Sequence, residues 1–306
     1  MVNGALLLNR EFDLKRHLSK MIHIFLVFCC WKFLMVFLCE IFFHEPLCPW
    51  TIPEFLNYMA GYQTSYHPTE AFWFFPALLQ IYLMLPIVKK IYDLEKKEYI
   101  KYVCALLFCV SFLPRTLDQI FEIAGLQILD VTIVDFYNPF GTYSNHLLYF
   151  ILGGLLHKKY YVEKEKDGAI VKTCILAILI NGGLLWMIKG CSTGFTGERY
   201  NGIPGYSMIP TLFLSCAIFL LFLRSDHSKE RGTKCKQLIT AVADHTLSIY
   251  ILHLLLGRIA VSLWYGKILY RNVVINGLKC VVLITASFLV GKIMRKIPVV
   301  DKLTKI

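Results

Sequence analysis

Any chemistry in this chain rests on a few polar side chains set into long apolar runs. The stretch "VADHTLSIYILHLLLGRIA" places Thr246, Tyr250, His253 and Gly257 on one helical stripe, at about 100° per residue. Such a stripe suits a cavity wall or tight helix packing. His253 is then either a hydrogen-bonded structural residue or a catalyst. In "SNHLLYFILGGLLHKKYY", His146, Phe150, Gly153 and His157 share a face, and Gly153-Gly154 admits a close backbone. His157, beside Lys158 and Lys159, reads as interfacial. "HPTEAFWFFPALLQIY" aligns Trp73, Ala77 and Gln80, with His67 and Glu70 just outside as candidates for an external mouth. Its aromatic cluster also fits an interfacial belt.

Ionisable residues at membrane depth are expensive and are functional candidates by default. Lys32 lies about eleven residues into its apolar run, roughly 17 Å deep at about 1.5 Å per residue. It must pair with an acid or face a polar cavity. Glu40 reads as interfacial, and Lys279 is near enough to the outer surface to snorkel.

These residues need elements to hold them, and the composition says which. Of 306 residues 57% are hydrophobic and only 17% charged, with mean hydropathy +0.56. A soluble domain carries about 25% charged residues. Lipid is therefore the expected solvent, and the fold class is all-α, a polytopic transmembrane bundle of about eight spans. The apolar segments run 21–43, 71–88, 100–114, 144–157, 169–188, 205–223, 239–258 and 273–291. The third and fourth are short for a full span, so they tilt, extend into their flanks or pack inside the bundle.

Lys and Arg test this layout. Alternate polar stretches carry four or five each, beginning with Arg10, Lys15, Arg16 and Lys20, while those between carry none to three. The alternation supports eight spans with both termini cytoplasmic, in the cell membrane. It also accounts for the net charge of +11 without nucleic acid, which needs a basic face on a soluble module. The 11 cysteines include no CxxC pair and no zinc spacing. Most sit in apolar runs as small hydrophobes, whereas Cys48 and Cys191 read as loop residues able to pair. No metal motif, phosphate loop, GxSxG or dinucleotide fingerprint is present. No internal repeat divides the chain, so residues 1–306 read as one membrane domain.

Three stretches resemble segments of the acyltransferase 3 family. "EAFWFFPALLQIYLMLPIVKK" resembles its "LWFL" segment, "HLLYFILGGLLHKKY" its "YFILG" segment, and "TLSIYILHLLLGRI" its "IYLIH" segment. Their order and spacing also fit. "NGALLLNREFDLKRHLSKM" resembles the end of the family's second span and the basic stretch after it, with Asn3 for the usual serine and Met21 for a basic residue. The resemblance implies a membrane acyltransferase moving an acyl group, often acetyl, from acyl-CoA to a hydroxyl of an envelope carbohydrate, or a lipid-linked one. Acyl-CoA is then a co-substrate, with no cofactor or metal held permanently and membrane lipid as the surroundings. It also implies that the chain starts near the end of the second span, without the family's first-span histidine.

On that resemblance His253 matches the "IYLIH" histidine and Trp73 the "LWFL" tryptophan. His253 and His146 are the remaining catalytic candidates, with His67 as a further base. Trp73, Glu70, His67, Gln80 and Tyr250 are the candidate acceptor contacts. Lys15, Arg16 and Lys20 lie where basic residues meet the phosphates of CoA, or serve only as topology anchors. Two other readings stay open: a non-catalytic remnant or partner subunit, and a transporter of a lipid-linked sugar. The chain shows no repeated halves of the kind many transporters have.

Overall fold

The computed structural model describes residues 1–43, 51–60, 70–124, 126, 136, 138–141, 143–162, 169–194, 205–225, 233–263 and 273–304. Among these residues there are helices and no strand. In chain order the helices are α1 (Val2–Leu8), α2 (Leu14–Phe43), α3 (Ile52–Ala60), a 3-10 turn (Glu70–Trp73), α4 (Phe74–Asp93), α5 (Glu98–Ser111) and α6 (Leu113–Ile123). They continue with α7 (Ser144–His157), a π turn (Lys158–Val162), α8 (Ala169–Gly194), α9 (Ile209–Ser225), α10 (Thr233–Asp244), α11 (Thr246–Leu263), α12 (Val273–Met294) and α13 (Pro298–Leu303).

Every expected apolar segment contains a helix, and the fold is an all-α membrane bundle. Among the described residues four stretches are long and apolar enough to cross a bilayer: Leu14–Leu38, Phe74–Asp93, Glu98–Phe121 and Gly277–Met294. Their outer faces carry the apolar side chains that a soluble protein would bury. Phe25, Phe33 and Phe37 on α2, and Val281, Val282 and Leu289 on α12, are all exposed. A helix apolar all round is what lipid demands.

The third segment resolves its shortness by extending: α5 runs on into α6 through Phe112, whose N–H still bonds to the Phe108 carbonyl. The fourth stays short because it is interior. Leu147, Leu148, Phe150, Ile151, Gly153 and Gly154 of α7 are all buried. The seventh departs from the expected single span. It is two helices that meet at His245, where the His245 N–H bonds to the Val242 carbonyl in a tighter turn. Asp244 is exposed there, while the half-buried His245 ring packs on Phe288 at 5.0 Å. Cys191 lies within α8 and not in a loop, while Cys48 is outside the described residues.

The chain packs as two compact units. One comprises Met1–Phe12 and Gln80–Lys229, the other Asp13–Leu79 and Glu230–Ile306. In the first, α7 is central: α1, α5 and α9 pack on it, and α8 packs on α9. A core of Leu8, Leu85, Tyr92, Leu107, Phe112, Leu148 and Ile151 fills the space between them. α1 approaches α7 backbone to backbone. A Cβ on Gly4 would strike the Phe150 carbonyl, and one on Gly153 would strike Met1. Glycine removes the side chain that would hold the helices apart.

In the second unit α11 packs on α12, α3 and α13 pack on α2, and the 3-10 turn packs on α11. Asp13 starts α2, accepting the N–H of Lys15 at 2.9 Å and of Arg16 at 3.2 Å. That is a side-chain N-cap, satisfying donors the helix leaves open. Trp31 Nε1 donates to the Leu303 carbonyl at 2.8 Å and ties α13 to α2.

Candidate functional site

The first cluster lies in the second unit, where an aromatic ladder leads to a histidine. The Trp73 and Phe74 rings are 6.4 Å apart, Phe74 and Tyr250 5.4 Å, and Tyr250 and His253 5.9 Å. Trp73, Tyr250 and His253, singled out separately in the sequence, thus share one neighbourhood. His253 Nδ1 is 3.2 Å from the Ile249 carbonyl. A carbonyl only accepts, so Nδ1 carries the proton and Nε2 holds the lone pair. This is the tautomer that a general base needs, with its orientation fixed by the helix.

Next to the ladder sits Lys32, only 1% exposed. Its ammonium donates to the Tyr58 carbonyl and lies 4.1 Å from the Tyr58 ring centroid and 5.1 Å from that of Phe28. Phe28 in turn packs on Phe72 and Phe75 at 6.3 and 5.4 Å. The sequence called for an acid or a polar cavity around Lys32. Among the described contacts a carbonyl dipole and two aromatic faces stand by it, and aromatic faces attract a cation.

The second cluster lies in the first unit, around His146. His146 Nδ1 is 2.8 Å from Asn145 Oδ1, again leaving Nε2 as the basic nitrogen. The rings of Tyr143 and Tyr206 flank it at 5.7 and 6.0 Å. Asn145 is buried. Its orienting role was missed in the sequence, although the adjacent "NH" pair was there to see.

Beneath lies a buried polar relay. Ser111 donates to Ser144 at 2.6 Å, and Asn138 Nδ2 donates to Ser144 at 2.8 Å. Gln80 engages the same loop with both ends of its amide. Its Nε2 donates to the Phe140 carbonyl, and its Oε1 accepts the Tyr143 N–H at 3.3 Å. Gly141, at φ 75°, makes the turn that brings the chain onto Gln80, a conformation that favours glycine. In this arrangement Gln80 holds the loop leading into α7 and His146.

The other sequence candidates are more scattered. Lys15, Arg16 and Lys20 occupy the exposed first turns of α2. Glu70 opens the 3-10 turn, and His67 lies outside the described residues. Among the described residues no group of three or more His, Cys, Asp or Glu could hold a metal ion.

Two histidines of defined tautomer, each walled by aromatic rings inside an apolar helical fold, fit several chemistries. The comparison with known families narrows them: the family model described as an acyltransferase domain matches residues 1–292. The chain belongs to the acyltransferase 3 family. No curated protein and no solved structure matches it. For this membrane acyltransferase the three familiar stretches acquire places. The tryptophan segment forms the 3-10 turn and most of α4, the Gly-Gly segment forms most of the buried α7, and the "IYILH" segment lies in α11.

Proposed function

We propose that the chain transfers an acyl group, acetyl in the simplest case, from acyl-CoA to a hydroxyl of a cell-envelope carbohydrate or a related lipid-linked acceptor. The family match over residues 1–292 carries this reading. The ladder from Trp73 to His253 supports it, because a sugar ring stacks well on aromatic faces while its hydroxyls seek a polar tip. The chain sits in the cell membrane as a multi-pass protein with both ends cytoplasmic, as its Lys and Arg distribution favours.

In this reading Nε2 of His253 takes the proton as the acceptor oxygen attacks the thioester carbon. The tetrahedral intermediate collapses with loss of the C–S bond, and the imidazolium returns the proton to the departing thiolate. CoA leaves as the free thiol and the product is an ester. His146, held by Asn145, is the second candidate for the same role. Trp73, Tyr250, Gln80, Glu70 and His67 are the proposed acceptor side, and Lys15, Arg16 and Lys20 the proposed contacts to the CoA phosphates.

The test is transfer of labelled acetyl from acetyl-CoA to carbohydrate acceptors by the full chain in nanodiscs. His253→Gln should lower kcat about 100-fold or more, the usual range for a general base. Transfer that ignores both His253→Gln and His146→Gln would overturn the site. Absence of transfer across a panel of acyl-CoA donors and hydroxyl acceptors would overturn the function.

A further inference from the structure

At the end of the first unit where α1, α4 and α7 finish, a pocket of about 600 Å³ opens. This is within the size range of small-ligand sites. Asn9 and Arg10 line one side, Lys89, Tyr92 and Asp93 another, and Lys158 closes it. None of these residues is among the candidates read from the sequence.

Tyr92 is the fixed floor. Its hydroxyl proton is shared between two acceptors, Asn9 Oδ1 at 2.9 Å and the Gly154 carbonyl at 3.0 Å, which holds the ring in place. Two ammonium groups converge on that ring: Lys89 Nζ lies 5.9 Å and Lys158 Nζ 5.6 Å from its centroid. Asp93 pairs with Lys89 at 2.6 Å, and the pocket also holds Glu11, so three cations face two carboxylates. The C-termini of α1 and α4 meet here, beside the point where α7 runs on into the π turn, and helix C-termini favour cations near them. Dipole complementation alone, however, needs neither a hollow nor a rigid aromatic floor. Cations gathered around an open space, with an arginine fork among them, match a phosphoryl group.

We propose that this pocket binds the phosphoryl group of a ligand, with Arg10 and Lys158 as its direct contacts and Lys89 held in place by Asp93. Two sources carry that chemistry: the diphosphate of an acyl-CoA donor and the headgroup of an anionic phospholipid. The first source rests on the function proposed above; the site itself does not.

The experiment measures binding, not transfer, on the full chain in phosphatidylcholine nanodiscs. CoA and inorganic pyrophosphate are titrated calorimetrically, and retention of phosphatidylglycerol is read by native mass spectrometry. Arg10→Gln and Lys158→Gln should each weaken binding about tenfold, the scale of one charge-assisted hydrogen bond. The double variant should weaken it further, and added salt should weaken it in the parent chain. Lys172→Gln, on an exposed position of α8, is the control and should change nothing. Loss confined to CoA and pyrophosphate supports the pocket and identifies the donor as its ligand. Loss confined to phosphatidylglycerol supports the pocket and identifies a lipid. If the double variant binds all three probes as the parent does, the proposal is overturned, whatever the transfer assay gives. Thermal melts of the same variants separate lost binding from lost fold.

Discussion

The hydroxyl of Tyr92 donates to Oδ1 of Asn9 at 2.9 Å, joining α4 to the end of α1 across 83 positions of sequence. Asn9 spends its amide nitrogen on the Ala5 carbonyl at 3.0 Å and approaches the Gly154 carbonyl and His157 Nδ1 at 3.4 and 3.3 Å. One asparagine thus closes α1 and fastens it to α4 and α7 together.

Removing this link should destabilise the first unit. Tyr92→Phe keeps the ring but leaves Asn9 Oδ1 short of a donor, and should cost about 1–2 kcal/mol. Asn9→Ala loses more bonds and should cost about 2–3 kcal/mol. Thermal unfolding in detergent checks both, with Asn9→Ala expected to melt lower.

The close crossing of α1 on α7 makes a second prediction. Gly4→Ala or Gly153→Ala drives a methyl into a facing backbone, and the helices must part, at about 1–3 kcal/mol each. Gly182→Ala is the contrast, because nothing lies within 4 Å of the added Cβ. It should be neutral or raise Tm slightly, since alanine is the better helix former. Equal effects at Gly4 and Gly182 would contradict the packing described.

Lys32 should respond to charge rather than to length. Lys32→Met retains the stem and the ring contacts, removes the donor to the Tyr58 carbonyl, and should destabilise by about 1–2 kcal/mol or more. Lys32→Glu turns an anion toward a carbonyl and two ring faces, and should destabilise by about 3–5 kcal/mol. Size-exclusion profiles and melts of the two variants distinguish these outcomes.

The aromatic ladder makes a prediction about rate. Tyr250→Phe keeps the stacking on Phe74 and His253 and should preserve most transfer activity. Phe74→Ala removes the middle rung and should raise KM for the acceptor by about tenfold, the value of one aromatic contact. Steady-state kinetics with varied acceptor at saturating donor measure the split.

Much of the architecture was legible in the residues. An apolar run has only one economical form in lipid, the helix, so a helix could be expected in each of the eight segments from hydropathy alone, though not that the seventh is two. The stripe of Thr246, Tyr250 and His253 was legible for the same reason, since periodicity fixes which side chains share a helix face. Family membership could be read because three such stretches keep their order.

Tertiary structure decided what stands opposite each face. Periodicity put Lys32 deep in a span but did not show that the Tyr58 carbonyl and ring come to it from another helix. It showed that Gly153 and Gly154 invite a backbone without showing that the backbone is α1. It gave no sign that α11 starts afresh after His245, or that Lys89 and Lys158 meet over Tyr92. The physical reason is range: helix hydrogen bonds close within four residues, and local sequence encodes them. Asn9 and Gly154 are 145 positions apart, and only the packed chain brings them together.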